Sequence, residues 1–311
     1  MRHQLYNPTF KFVKEPEEFD KYTEREMLQY CLGATMYMPG TKDFTKAILT
    51  KKNPGLTTMV MCFEDAIKEG EVEQAEENAI HFLNVINENL KNGVIEYKDL
   101  PLIIFRTRTP EQFKHFGAML KQEHIHLITA FNFPKFSSEN GIEYYTYLKE
   151  LNEKFNEIIY GMPILESREI AHKETRMDEL IKIKEILDRF RELVLNIRVG
   201  GTDFSSCFGV RRGINYTIYD IMTVRDCLQD ILNVFTRDNE YCVSGPVWEY
   251  FRASKEMKFE ELPETDFHET LLKHETIIND AIDGLLRETI LEKANGFIGK
   301  TIIHPTHIQY V

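Results

Sequence analysis

The chain has 311 residues, 42% of them hydrophobic and 28% charged, with a net charge of −12. This composition is ordinary for a soluble globular protein, and a chain of this length buries a core that needs neither a disulfide nor a metal staple. The acidic balance argues against a nucleic-acid or anionic-membrane surface, yet it permits a small anionic metabolite as partner, held in a local pocket of opposite sign. Five cysteines (Cys31, Cys62, Cys207, Cys227 and Cys242) are odd in number and lack a C-x-x-C pair. They suit neither a disulfide framework nor a zinc ribbon, and point to a reducing cytoplasm. The opening MRHQLYNPTFKFVKEPEEFD lacks the apolar stretch of a signal peptide, and no run reaches membrane-spanning length.

Taken in chain order, residues 10–32 carry Phe19, Tyr22, Met27 and Tyr30 in a helix-like pattern. They predict a helical extension, residues 1–32, packed under or beside the main body of the fold. Short apolar runs then alternate with longer amphipathic segments. The expected strands are residues 34–38 (ATMYM), 58–63 (TMVMCF), 102–106 (LIIFR), 127–131 (LITAF), 159–165 (IYGMPIL), 195–199 (LNIRV), 241–244 (YCVS) and 300–303 (KTII). Each is short and largely apolar, as in a parallel sheet buried on both faces. Helical patterns separate them. Residues 71–90 place Ala79, Phe82, Leu83 and Ile86 on one face, and residues 177–193, 220–235 and 266–294 repeat the amphipathic spacing. Eight strands alternating with helices, without a flexible linker, predict one domain over residues 1–311 whose core, residues 34–305, is an α/β (β/α)₈ barrel. A doubly wound open sheet is the competing architecture. The sequence stops at Val311, soon after His304-Pro305. The last barrel helix is therefore expected to be short or missing, with the N-terminal segment or a partner subunit covering the gap.

In such a barrel the chemistry lies at the C-terminal strand ends. The residues just past each run are Pro39-Gly40-Thr41, Glu64-Asp65, Arg106-Thr107-Arg108, Pro134-Lys135, Glu166-Ser167-Arg168, Gly200-Gly201-Thr202-Asp203, Ser244-Gly245-Pro246 and His304-Pro305. Charged groups of both signs thus converge on one rim. Glu166 and Asp203 come directly after adjacent strands, and two such carboxylates with water and substrate as further ligands suit Mg²⁺. Each could equally cap the next helix in the chain. Glu64 and Asp65 carry a similar pair of readings, as acid/base groups or as helix N-terminal acids. Arg106 ends an apolar strand and suits bidentate recognition of a carboxylate or phosphate. Lys135 is a second cation or a solvated loop lysine. Gly200-Gly201 allows close backbone approach but lacks dinucleotide-site spacing. His304-x-x-His307 reads as structural, His124-x-His126 as a surface feature, and Arg211-Arg212 as a solvated pair or a contact to a phosphate. No G-x-S-x-G elbow, P-loop or catalytic Cys/His arrangement is present.

Together these motifs resemble the HpcH/HpaI aldolase and citrate lyase beta-subunit-like superfamily, in the family's order from about Ala34 to the end. Tyr37-Met38-Pro39-Gly40 looks like its opening strand and turn, Phe63-Glu64-Asp65-Ala66-Ile67 like its "LEDAV" motif, and Phe105-Arg106 like its substrate-binding arginine strand. Phe133-Pro134-Lys135 is similar to its "PK" motif, Leu165-Glu166-Ser167 to "IET", and Gly201-Thr202-Asp203 to its glycine-rich metal motif. The segment GFIGKTIIHP, residues 296–305, is the closest match.

The resemblance implies a TIM barrel of the phosphoenolpyruvate/pyruvate type and a carbon–carbon lyase or condensing enzyme acting on a 2-oxo acid, often with a coenzyme A thioester. It implies Mg²⁺, or Mn²⁺ in its place, on Glu166 and Asp203, with Glu64, Asp65 and Arg106 as catalytic residues. Substrate binding falls to Arg106, Lys135, Gly201, Pro39 and Gly40. Two departures, Arg108 for the usual asparagine and Arg168 for a small residue, imply a more anionic and even phosphorylated substrate. Relatives form trimers or hexamers, so a homo-oligomer is expected. The alternative is a non-catalytic or biosynthetic relative, from a branch linked to stress-response operons, that binds an anionic metabolite.

Overall fold

Met59, Val60 and Met61 in the second apolar run are completely buried, as a strand covered on both faces requires. In this computed structural model, residues 11–13, 17–251 and 267–311 are described, with the backbone alone over 267–280. Seven strands form one parallel sheet: β1 (Ala34–Pro39), β2 (Thr58–Cys62), β3 (Leu102–Arg106), β4 (Ile128–Phe133), β5 (Tyr160–Leu165), β6 (Arg198–Val199) and β7 (Lys300–Ile302). Their order is β6-β5-β4-β3-β2-β1-β7. The seventh expected strand survives as a bridge between the two sheet edges. On one side Ile197 N–H donates to the Cys242 carbonyl and Ser244 N–H to Ile197, both at 2.9 Å. On the other, Gly245 N–H donates to Gly299 at 3.0 Å and Thr301 N–H to Gly245 at 3.1 Å. These bonds join β6 to β7 into a TIM-barrel-like ring and rule out the open doubly wound sheet.

The helices are α1 (Arg25–Leu28), α2 (Thr45–Leu49), α3 (Val72–Lys91), α4 (Pro110–Met119), α5 (Gln122–Ile125), α6 (Gly141–Phe155), α7 (Arg168–Ala171), α8 (Lys173–Arg189), α9 (Gly201–Cys207), α10 (Met222–Phe235) and α11 (Phe267–Asn295). Residue 266, in the expected last helix, lies outside the described residues. After β7 the chain makes a 3₁₀-helix, Pro305–Tyr310. Local chemistry sets the boundaries where it is strong. At α4, Thr109 accepts the Gln112 N–H and Pro110 opens the first turn, where its missing N–H costs nothing. Among the described residues no helix is long and apolar enough to cross a membrane.

Alternation along each strand divides the core. Outward residues Phe63, Phe105, Phe131 and Phe133 pack against Phe113, Phe116 and Tyr144 of α4 and α6, with Phe113–Phe131 centroids 4.6 Å apart and Phe133–Tyr144 4.4 Å apart. The face expected on α3, Ala79, Phe82, Leu83 and Ile86, is buried against the sheet. Inward residues Val60, Leu102, Ile104, Ala130, Tyr160, Met162 and Leu195 form a second cluster with Leu28 and Leu32.

That second cluster corrects the N-terminal expectation. Residues 1–10 and 14–16 of the expected extension lie outside the described residues; among those described the helix is one turn, Arg25–Leu28, and Tyr22, Met27 and Tyr30 are exposed. The barrel needs apolar side chains and hydrogen-bond donors at its N-terminal end. Leu28 and Leu32 supply the first, while Lys21 Nζ donates to the Ile125 carbonyl at 2.9 Å and Arg25 Nη1 to Val194 at 3.3 Å. This tertiary demand overrides the weak local pattern. Two other surface assignments also fail. His124 is buried, its Nε2 2.9 Å from Asn84 Oδ1, and Arg212 is buried in an ion network. Leu28→Ala should lower the unfolding free energy by about 2–5 kcal/mol, while Met27→Ala should change it by less than about 0.5 kcal/mol. Paired denaturant titrations check this, and equal effects would refute the assignment of the buried face.

Candidate functional site

The parallel ring delivers every strand end to one rim, where a cavity of about 830 Å³ opens. Its walls include Tyr37, Pro39, Cys62, Asp65, Arg106, Glu166, Arg198, Gly201, Asp203 and His304. Arg106, the last residue of β3, is buried and anchors the rim. Its Nη2 lies 2.6 Å from Glu64 Oε2, 3.0 Å from Asp65 Oδ2 and 3.3 Å from Glu166 Oε1. Burial alone would favour loss of its proton, but Glu166 and the other anionic neighbours more than offset this and hold Arg106 cationic. Glu64 is gripped from both sides, because its Oε1 lies 2.5 Å from Lys135 Nζ.

Glu166 comes directly after β5 and is buried. Its Oε1 accepts from the Lys135 N–H at 2.9 Å and from Arg106, and Oε2 turns toward Asp203 across Gly200. A Cβ at Gly200 would overlap Glu166 and stand 3.2 Å from Asp203 Oδ2, so only glycine lets the two carboxylates face each other here. Burial, with Asp203 and Glu64 adding repulsion, pushes the Glu166 carboxyl up to about 8. Burial and Asp65 likewise raise Asp203. Two carboxylates brought together in this way, Glu166 buried and Asp203 partly so, repel each other, and a bound cation relieves such repulsion. Among the described residues no group of three or more His, Cys, Asp or Glu side chains forms a metal cage. Glu166 and Asp203 are two carboxylates that could serve a divalent cation, with water and substrate left to complete its shell.

Residues 26–311 match the family described as C–C bond lyase of the TIM-barrel fold. The chain belongs to that family. The fold is similar to that of the M. tuberculosis citrate lyase beta subunit complexed with oxaloacetate and magnesium, at 14% identity and a TM-score of 0.52, covering 91% of this chain and 96% of that one. It is similar to the Haloferax volcanii malate synthase magnesium/glyoxylate complex, at 12% identity and a TM-score of 0.61, over 89% of this chain and 73% of that one. It also resembles an HpcH/HpaI aldolase/citrate lyase family protein from Burkholderia cenocepacia, at 11% identity and a TM-score of 0.50, over 91% and 92%. The sequence matches no curated protein.

Within this C–C bond lyase family member, the ring gathers Glu64, Asp65, Arg106, Lys135, Glu166 and Asp203 at one place. Pro39 and Gly201 line the cavity beside them. Gly40 is set back: its N–H donates to the Cys62 carbonyl at 2.9 Å, and a Cβ would press on Phe63 at 2.9 Å. Arg108 and Arg168, the two extra cations, do not line the cavity. Arg108 Nη1 donates to the Phe63 carbonyl at 3.3 Å, and Arg168 is exposed on α7. Sequence reasoning passed over Tyr37, which accepts from Asn132 Nδ2, and Arg198 inside the barrel. The signal for Arg198 was present, an arginine within the apolar run LNIRV.

Because folded Glu166 holds its proton up to about pH 8, against an ordinary value of about 4.3, its contribution to stability is lost as pH rises through that window. A divalent cation held by Glu166 would bind the ionised form and reverse the loss. Mg²⁺ should therefore raise the melting temperature more at about pH 8.5 than at about pH 6, and Glu166→Gln should abolish the difference. Thermal melts with and without Mg²⁺ test this; an equal shift at both pH values would count against Glu166 as a ligand.

Proposed function

We propose that this family member is a divalent-metal-dependent lyase or aldolase that breaks or forms a carbon–carbon bond in a small 2-oxo acid. The observation that carries the reading is the pair Glu166 and Asp203, facing each other across Gly200 at the cavity wall with raised affinities for protons. These two residues would hold Mg²⁺, or Mn²⁺ in its place. When bound, the ion supplies Lewis-acid stabilisation of negative charge developing on the oxo-acid oxygens.

The chain's own residues orient and neutralise. Arg106 presents a fixed positive charge beside Glu166, and electrostatic preorganisation of this kind requires no reorganisation during reaction. Both oxygens of Glu64 are occupied, by Arg106 and Lys135, and Asp65 is held below the ordinary carboxylate range by Arg106 despite its burial. This favours Glu64 and Asp65 as clamps on the rim cations over proton acceptors, the other role read for them from sequence. The volume of about 830 Å³ leaves room for a second reactant, and a coenzyme A thioester is a fitting one. The relatives support these choices: the citrate lyase subunit is complexed with oxaloacetate and magnesium, and the malate synthase is also solved with pyruvate and acetyl-CoA.

The decisive measurement is exchange of solvent deuterium into pyruvate and related oxo acids, with and without acetyl-CoA and Mg²⁺. Exchange should require the metal. Glu166→Gln and Asp203→Asn should each weaken Mg²⁺ binding by more than roughly 100-fold and stop exchange. Mg²⁺ binding without exchange on any acid would instead favour a non-catalytic, anion-binding relative.

A further inference from the structure

Two buried arginines enter the cavity, and they are supplied with counter-charge very differently. Arg106 meets three carboxylates at the rim. Arg198 meets none among the described residues. Its Nη1 and Nη2 reach hydroxyls, those of Thr35 at 3.3 Å and Thr301 at 2.5 Å, with the Tyr37 side chain also in hydrogen-bond reach. Its guanidinium carbon lies 5.7 Å from the centre of the Tyr37 ring, and Nε is buried without a partner. The residue is 1% exposed, yet it lines the cavity. Charge is seldom buried in this state, because hydroxyl dipoles and a ring face recover only part of the lost hydration. Arg198 also stands at a definite depth. Ile164 pairs with Arg198 and Leu165 with Val199, so it lies two residues below Gly200, about 6.6 Å further into the barrel.

We propose that Arg198 is the receptor for a second anionic group on the substrate and the residue that sets specificity for it. This rests on the lyase reading of the same cavity. An oxo acid with its reacting end at Glu166 and Asp203 extends inward, and a second carboxylate or a phosphate-type group meets the guanidinium fork. Arg106 holds its charge among Glu64, Asp65 and Glu166, so a second anionic group there would meet three carboxylates as well as the guanidinium. The substrate class is thus a small oxo acid with an anionic group at each end.

The test compares wild type, Arg198→Met and Arg198→Lys by calorimetric titration, first with Mg²⁺ alone and then with pyruvate, oxaloacetate and phosphonopyruvate at saturating Mg²⁺. Wild type should bind at least one doubly anionic acid roughly 30-fold or more tighter than pyruvate. Which one gains identifies the second group as carboxylate or phosphate-type. Arg198→Met should erase the preference while leaving Mg²⁺ and pyruvate binding unchanged, and Arg198→Lys should keep only part of it. A structural role for Arg198 predicts that the metal-free Met variant melts lower than wild type; an anion receptor predicts that it melts higher, because an unpaired buried charge has been removed. Should the Met variant fail to fold, the wild-type preference and the Lys variant still decide. Equal affinities for the three acids in wild type, or a preference that survives in Arg198→Met, would overturn the proposal. Thermal shifts by malonate and inorganic phosphate without metal separate it from the lyase reading. If Mg²⁺ does not bind but these dianions stabilise wild type and not Arg198→Met, the receptor stands and the lyase reading falls.

Discussion

Arg106 neutralises Glu64, Asp65 and Glu166 at the mouth of the barrel, and much of the rim is arranged around that requirement. Carboxylates delivered to one place by parallel strands repel one another, and in a partly dry cavity the repulsion is strong. One nitrogen of the guanidinium at the end of β3, Nη2, meets all three, and its delocalised charge is permanent. Lys135, in a left-handed backbone conformation with φ 47°, adds a side-chain contact to Glu64 and a backbone N–H to Glu166. With one Glu166 oxygen committed in this way, the other faces Asp203, and the geometry of this candidate metal pair is set by what neutralises its neighbours.

A second ionic assembly supports the opposite wall. Lys300 Nζ, fully buried at the start of β7, donates to Glu288 at 2.8 Å, to the Pro246 carbonyl at 2.8 Å and to Glu292. Arg212 joins Glu288 to Glu249, and Glu249 accepts from Thr202 Oγ1 at 2.8 Å, next to Asp203. Burial, together with repulsion from Glu288, pushes the Glu292 carboxyl up to about 8 despite Lys300. A network of this kind contributes little net stability, because desolvation offsets most of the attraction. It does link α11, β7 and residues 246–251 to the start of α9, and so fixes where the second carboxylate of the candidate metal pair stands.

What was legible along the chain is what alternation and chemistry type reveal. Seven expected strands lie within two residues of an observed strand at nearly every end, because an apolar run such as LIIFR has no stable place except between two covered faces. The sixth run is the exception, since only Arg198–Val199 pairs regularly. Glu64, Arg106, Glu166 and Asp203 were readable for a related reason: a charged residue at the end of such a run must be at the rim. The N-terminal segment was not legible. Whether Leu28 or Met27 turns inward depends on a gap in a barrel floor built by strands up to residue 195, which no local pattern encodes.

By itself the sequence determined the alternation of strands and helices, the single functional rim and the residue types gathered there, since these are set by hydrophobic period and strand direction. Only the tertiary structure decided which cations have anions to spare. Arg106 and Arg198 read alike in one dimension, each an arginine in an apolar strand, and Arg108 and Arg168 read as further cavity cations. Closing the ring surrounded Arg106 with carboxylates, left Arg198 with hydroxyls inside the barrel, and turned the other two away from the cavity. Charge pairing is a through-space property falling off within a few ångströms, so it is set by neighbours from other strands and not by neighbours along the chain.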